Sequence, residues 1–146
     1  MADATLTPAE QQELLQRLGQ ILPAAILDPW EEAHFTYAEV AEASTMELTV
    51  VRADGSSQRL NPPYRAIRVI RELRSGMSQA DRGTWFTARY SVEPSGEYRV
   101  EFDYDNEPSF DFAVPDESYA RDLERFPRND EHTPDWLQAK LLQGAR

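Results

Sequence analysis

Apolar residues near the start of the chain recur at the spacing of one helical face. Leucine and isoleucine occupy positions 14, 15, 18, 21 and 22, ahead of Pro23, which is the period of an amphipathic helix. Thr7 precedes Pro8, and Glu10 follows Thr7 by three residues, the pattern of an N-cap with a capping box. A first helix is therefore predicted to start after Thr7 and to end near Pro23.

Four segments carry patterns typical of β-strands. From Ala33 to Ala41, apolar and polar residues alternate loosely. The segment from Met46 to Arg52 is rich in Leu, Thr and Val and is followed by the turn residues 54–56. Two further runs, Thr84 to Val92 and Glu97 to Tyr104, flank a Pro-Ser-Gly turn. These patterns predict an antiparallel sheet of about four strands.

The last of these strands has the sharpest alternation. Aromatic and apolar residues occupy positions 98, 100, 102 and 104, whereas the odd positions from 97 to 105 carry acids and one arginine. Because successive side chains of a strand point to opposite faces, this strand is predicted to bury one face and to expose an acidic one.

Three further helices complete the predicted fold. The residues from Tyr64 to about Gly76 keep a helical period, with arginines at 65, 68, 71 and 74. Asp116 is placed to cap a helix that ends near Arg125, and Pro134 begins a short final helix. The prediction is one α+β domain over residues 1–146, with an N-terminal helix, a helix inserted mid-sheet and C-terminal helices packed on one face. Residues 1–5 and 144–146 are expected to fray.

Composition limits the class of protein. The chain has 146 residues, enough for one domain, and it has no cysteine, which excludes disulfides and thiolate chemistry. No segment reaches the apolar length of a membrane span, and the acidic start lacks the basic region of a signal peptide. A cytoplasmic location is expected.

Charge is distributed unevenly along the chain. The formal net charge is −11. The segment from Arg52 to Arg89 has eight arginines and three acids, whereas Glu97 to Trp136 has thirteen acids and four arginines. An acidic surface repels nucleic acid and accelerates encounter with a basic protein. A basic protein partner is therefore expected, and direct binding of nucleic acid or of a membrane is not.

Catalytic and metal-binding patterns are sparse. The two histidines, His34 and His132, fall in a predicted strand and a proline-flanked loop, so neither predicts a nucleophile–base pair. Asp103, Asp105 and Glu107 could imitate a hard-cation site, but they lack the glycine and downstream glutamate of a calcium loop. We predict a protein without catalytic residues, metal or cofactor. The arginines at 65, 68, 71 and 74 are interpreted as an exposed helix face paired with the chain's own acids, and a phosphate-binding patch is the alternative.

Five motifs, taken in order, resemble those of the YezG-like family of bacterial immunity proteins, which are antitoxins of polymorphic toxin systems. The resemblance covers about Tyr64 to Leu142. The motifs are Gly83-Thr84-Trp85, Gly96-x-Tyr98, Phe102-x-Tyr104-Asp105-x-x-Pro108, Tyr119-x-x-Asp122-Leu123-x-x-Phe126-Pro127-Arg128 and Pro134-x-Trp136-Leu137.

The resemblance implies a cytoplasmic α+β protein that binds and occludes a cognate toxin domain, typically a basic nuclease. The motif residues Phe126, Pro127, Arg128 and Trp136 are interpreted as architectural, docking the C-terminal helices on the sheet, with Arg128 paired to Asp105 or Asp122. The resemblance supplies no binding residues, but the acid-rich face from Glu97 to Asp105, with Glu107 and Asp111, fits that role physically. The predicted partner-binding set is Glu97, Glu101, Asp103, Asp105, Glu107 and Asp111.

Besides a phosphate or nucleic-acid binder that uses the arginine helix, two alternatives remain open from the sequence. One is a small-ligand-binding or regulatory module with a cleft near Trp85, Tyr104 and Trp136, which requires an enclosed apolar pocket. The other is an acidic mimic of nucleic acid that binds a basic host protein, which requires carboxylates spaced like phosphates along a ridge.

Overall fold

The computed structural model describes residues 5–144 as one α+β domain with four α-helices and a five-stranded sheet. The predicted frayed ends fall mostly on residues 1–4 and 145–146, which lie outside the described range, and Gly144 is the last residue of the final helix. In chain order the elements are α1 (Pro8–Ala24), β1 (Glu32–Val40), β2 (Ala43–Val51), β3 (Ser57–Leu60), α2 (Tyr64–Gly76), β4 (Thr87–Val92), β5 (Tyr98–Asp103), α3 (Asp116–Arg125), a 3₁₀ turn (Asp130–His132) and α4 (Asp135–Gly144).

The sheet is antiparallel throughout, with strand order β3-β2-β1-β4-β5. The helix α2 follows the edge strand β3 and returns the chain to β4, on the other side of β1. The prediction of an inserted helix is confirmed, but the prediction of about four strands is one short. The missed strand β3 is short, and residues 57–59 of it are exposed, so it lacks the apolar alternation by which strands are detected.

The predicted N-terminal cap of α1 is present. The Thr7 hydroxyl accepts from the backbone N–H of Glu10 at 3.1 Å, and the Glu10 carboxylate accepts from the backbone N–H of Thr7 at 2.9 Å. At α3 the prediction of a cap is wrong: Pro115 holds the cap position without a side-chain hydrogen bond, and Asp116 is the first helical residue. There a negative charge still interacts favourably with the helix dipole.

The main core lies between the inward face of the sheet and the helices α1 and α2. The helices contribute leucine, isoleucine and valine side chains such as Leu18 and Ile70, and the strands contribute residues such as Phe35 and Tyr90. Trp85, which precedes β4, is fully buried there against Phe102, with ring centroids 5.4 Å apart. Residues 98, 100 and 102 of β5 also pack against this core, so the predicted apolar face of that strand is confirmed.

A second, smaller core holds the C-terminal helices. Tyr119 of α3 and Leu137 of α4 are buried with Val40, the last residue of β1, and Phe86, which precedes β4. The expected packing of the C-terminal helices on a sheet face is thus confined to one end of the sheet, while α1 and α2 provide the broad cover.

A buried ion pair joins the two cores. Arg74 of α2 is only 1% exposed, and its Nη1 and Nη2 donate to the Asp122 carboxylate of α3, each at 2.9 Å. Nη1 also lies 3.2 Å from Oε2 of Glu39, and Nε donates to the carbonyl of Trp85. The prediction that Arg74 belongs to an exposed basic face is therefore wrong. Asp122 is thus paired with Arg74, and Arg128 donates to backbone carbonyls instead.

Candidate protein-interaction surface

The outward face of the sheet is polar, and residues exposed to solvent run across it. Alternation along the strands places one set of side chains inward, in the main core, and the other set outward. We call the outward set the outer face. Its polar residues are Glu32, His34, Thr36, Thr45, Glu47, Thr49, Ser57, Arg59, Thr87, Arg89, Ser91, Arg99, Glu101 and Asp103. The apolar residues Ala38, Val40 and Val51 share this side, and the first two are buried.

Glu101 lies in the middle of β5 and is the most exposed of its outward carboxylates. It stands directly across from Arg89 of β4 in the antiparallel register, and the nearest oxygen and nitrogen are 3.6 Å apart. Both side chains are at least half exposed, so water and salt screen this contact. Glu101 therefore presents its charge to the solvent.

Asp103 is engaged within the chain. Its Oδ1 accepts from the backbone N–H groups of Asp105 and Asn106, at 3.2 and 3.0 Å, and the Asn106 amide donates to both oxygens. Burial acts to raise the pKa of Asp103, but these hydrogen bonds and the Arg89 charge outweigh it, so the pKa lies below its usual value. The carboxylate thus stabilises the turn that follows β5 and adds its charge to the end of the strand.

Glu97 belongs to a separate acidic group at the opposite end of β5. It lies in the β4–β5 turn beside Glu93, and both line an open depression of about 730 Å³ that Glu32 also borders. A hydrogen bond between the two side chains raises the pKa of Glu93, and burial and the charges of Glu97 and Glu32 add to this effect. Arg99 compensates part of the charge through a 2.7 Å contact with Glu32.

A loop between β5 and α3 brings the remaining predicted acids to the outer face. Glu107 and Asp111 are exposed, and they line a depression together with Thr36, Thr87 and Arg89. Glu107 also lies 3.6 Å from Nζ of Lys140. The loop therefore extends the acidic surface beyond the strands.

The same loop exposes an aromatic side chain. Phe112 is 48% exposed, and its ring packs against that of Phe110, with centroids 5.3 Å apart. An aromatic residue flanked by charges at the edge of a polar surface is a common anchor of protein interfaces. The prediction from the sequence did not include Phe112. Its position next to Asp111, outside any segment with a helical or strand period, could have indicated an exposed aromatic side chain.

The backbone of Asp105 and the motif side chains make structural contacts, whereas the Asp105 side chain is exposed. The backbone carbonyl of Asp105 accepts from the Trp136 indole N–H at 2.8 Å, which ties α4 to the end of β5. Arg128 donates to the carbonyls of His132 and Thr84, at 3.0 and 2.9 Å, and its guanidinium lies over the Phe86 ring. These contacts fit the docking role predicted for Trp136 and Arg128. The prediction that Arg128 pairs with Asp105 or Asp122 is wrong, because its guanidinium donates to backbone carbonyls.

A serine, a histidine and a glutamate also meet on the outer face. His34 and Ser91 face each other across β1 and β4, with Nδ1 and Oγ 2.9 Å apart, and Nε2 of His34 is 3.9 Å from Glu32. The carboxylate is too far away to orient the imidazole through a hydrogen bond. Ser91 lies in a strand paired on both sides, where ladder hydrogen bonds occupy the backbone N–H groups that an oxyanion hole requires. We interpret the arrangement as a cross-strand hydrogen bond.

The aromatic residues of the ligand-cleft alternative are divided between the two cores. Trp85 is fully buried in the main core, and Trp136 packs on Phe86 and Tyr119 in the second one. Tyr104 lies under the guanidinium of Arg82, with the ring centroid at 4.6 Å. They form packing contacts in separate places and do not converge on one pocket.

The described residues contain no group of three or more histidine, aspartate or glutamate side chains placed to hold a metal ion. Within residues 5–144, none of the helices combines the length and the apolar character needed to cross a membrane. The sequence matches no model of a known protein family, and no curated protein matches it significantly.

Proposed function

We propose that this protein is a cytoplasmic immunity protein that binds a basic toxin domain and occludes it stoichiometrically. The observation that carries the proposal is the outer face, a solvent-facing strand surface extended by an acidic loop. The motif resemblance to YezG-like immunity proteins supports the same class of function. A nuclease is the expected toxin, because its substrate-binding cleft is basic and complementary to this surface.

Physical considerations support the β5 end of the outer face as the docking region. Glu101, Glu107 and Asp111 are exposed there, and Phe112 supplies an apolar anchor beside them. Charges at the rim speed the encounter and set the orientation, whereas an aromatic side chain contributes more of the binding free energy when it becomes buried. The combination suits a specific protein contact.

The arrangement favours a protein-specific surface over a general mimic of nucleic acid. A mimic requires a continuous ridge of carboxylates, but Arg89 and Arg99 interrupt the acids of the outer face and contact them. The interleaved charges provide a pattern that one partner can match and others cannot.

Co-expression with the C-terminal domain encoded by the neighbouring reading frame tests the proposal. We expect a one-to-one complex and rescue of cell growth. Replacing Glu101 and Asp111 together by lysine should weaken the complex by at least about tenfold. The matched control replaces Glu13 and Glu72 by lysine, since both are exposed on the helices that cover the opposite face.

Two results would count against the proposal. Absence of both complex and rescue for the unaltered protein would reject the immunity function. A complex that tolerates the change at Glu101 and Asp111 as well as the control change would instead retain immunity and reject the outer face as its docking surface.

A further inference from the structure

A groove with a basic rim runs between α1 and α2, on the side of the molecule opposite the outer face. Its volume is about 430 Å³. Its floor is formed by Ile21 and Val69, and four exposed arginines line it together with one acid. These lining residues are Arg17, Arg65, Arg68, Arg71 and Glu72.

The arginines of this groove are poorly neutralised by the rest of the chain. Arg65 and Arg68 make no ion pair within residues 5–144. Arg17 has a single exposed contact with Glu13, at 3.4 Å, and Arg71 donates from Nε to the buried Tyr37 hydroxyl, at 3.2 Å. The chain has 26 acids and 15 bases, so four neighbouring arginines with so little compensation form a local positive field. A bound anion would relieve their mutual repulsion.

The spacing of the arginines indicates an extended ligand. Three of them follow each other at every third residue of α2, which separates them by about 4.5 Å along the helix axis. Arg17 faces them from α1. Long, exposed side chains spread over two helical turns suit several carboxylates in a row, whereas a single phosphate is usually held by converging backbone N–H groups.

The remaining lining favours a peptide over a nucleic acid. Ile21 and Val69 offer apolar contact between the arginines, which a peptide side chain can use and a phosphodiester backbone cannot. Glu72 on the groove and Glu13 beside it disfavour the uniform negative charge of a nucleic-acid backbone more than an acidic peptide with interspersed apolar residues. We propose that the α1–α2 groove binds an acidic segment of a partner protein, with carboxylates on Arg17, Arg65 and Arg68 and an apolar side chain on the floor. This site is independent of the proposed immunity function.

Fluorescence anisotropy with the purified full chain tests the proposal. The probe is a fluorescein-labelled, glutamate-rich peptide with interspersed leucines, and the comparison peptide carries glutamine in place of every glutamate. We expect the acidic peptide to bind saturably and the glutamine peptide not to bind, and we expect added salt to weaken the binding of the acidic peptide. Changing Arg65→Glu and Arg68→Glu together should weaken this binding by at least about tenfold, because attraction is replaced by repulsion.

A matched control distinguishes binding in the groove from a general effect of the protein's net charge. The pair Arg59→Glu and Arg99→Glu makes the same change in charge at exposed arginines on β3 and β5, and it should leave the dissociation constant within about twofold. Thermal unfolding of both double variants checks that each is folded. Three outcomes overturn the proposal: no saturable binding by the unaltered chain, equal weakening in the control, or tighter binding of a single-stranded DNA oligonucleotide than of the acidic peptide.

Discussion

Two of the places where arginine contacts carboxylate in this molecule have opposite physical consequences. At the joint between the two cores, Arg74 and Asp122 are almost fully buried and make two hydrogen bonds of 2.9 Å. On the outer face, Arg89 is half exposed and lies 3.6 Å from Glu101 and 3.7 Å from Asp103. The residue types are the same, but the first pair is inaccessible to a partner, while the second can exchange its contacts for those of a partner.

The difference follows from solvation. Removing one member of a buried pair leaves a charge without water or counterion, which is strongly destabilising. An exposed pair is already hydrated and is screened by salt, so its loss changes little. The buried pair therefore fixes how α3 sits against α2, and the exposed pair leaves the outer face free to serve binding.

The largest expected effect is on the buried pair. Asp122→Asn should lower the free energy of unfolding by about 2–4 kcal/mol, because Arg74 keeps its charge and loses its bidentate carboxylate acceptor, although Glu39 at 3.2 Å still compensates part of that charge. Asp122 also accepts from the backbone N–H of Ala41 at 2.9 Å, so the substitution affects the connection to β1 as well. Urea unfolding followed by circular dichroism measures the change, and Glu101→Gln is the matched control at an exposed carboxylate.

A loss below about 1 kcal/mol for Asp122→Asn would remove the distinction between the two regions. The same conclusion would follow if Glu101→Gln were equally destabilising. The first result would mean that Glu39 or solvent compensates Arg74 at the joint between the cores, and the second would assign Glu101 a structural role.

A second substitution sharpens the comparison by removing both buried charges. Arg74→Met combined with Asp122→Leu should cost at least about 1 kcal/mol less than Asp122→Asn alone, because both fully buried charges are removed together. Glu39 loses its contact with Arg74, but it is partly exposed and keeps the Tyr37 hydroxyl as a donor. Some loss of stability relative to the unaltered protein should persist, since Arg74 also donates to the Trp85 carbonyl at 2.9 Å. The measurement is again the urea midpoint and slope. A double variant less stable than Asp122→Asn would show that packing of the arginine stem matters more than its charge.

The arginine series on α2 shows how far the sequence could predict these regions. The bounds of the helix, Tyr64–Gly76, agree with its apolar period. A step of three residues falls short of a full turn by about 60°, so Arg74 is rotated by about 180° from Arg65. This drift alone could have indicated that Arg74 leaves the exposed face. Its partner Asp122 could not be identified, because it is 48 positions away in the sequence and is brought close only by the packing of α3.

The placement of the acidic side chains around β5 was also predicted only in part. Alternation from Glu97 to Asp103 correctly separated the outward acids from the inward aromatics. It could not reveal that Asp103 is occupied by the turn at Asn106, nor that the loop with Phe112 borders the same face. These features depend on loop geometry and strand order, which local patterns do not encode.

A smaller effect is expected on the outer face itself. Arg89→Ala should lower the free energy of unfolding by about 0.2–1 kcal/mol at low ionic strength. Most of this difference should disappear near 1 M salt, where the screening length falls to about 3 Å. Urea titrations at two salt concentrations check the prediction. A loss that persists unchanged at high salt would assign Arg89 a structural role like that of Arg74.

The smallest expected effect concerns the acidic group at the β4–β5 turn. Glu97→Gln should lower the pKa of Glu93 towards its ordinary value, because the hydrogen bond and the charge of Glu97 raise it in the native protein. In the folded state Glu93 binds its proton more tightly than in the unfolded chain, so this contribution favours folding at acidic pH. It is lost as the pH rises through the raised pKa. Carbon-detected NMR titration of the glutamate carboxyl groups measures the pKa of Glu93 in the unaltered protein and in the Glu97→Gln variant. If the Glu93 pKa stays raised without Glu97, its cause lies with Glu32 and local burial, and the two carboxyl groups at this turn titrate independently.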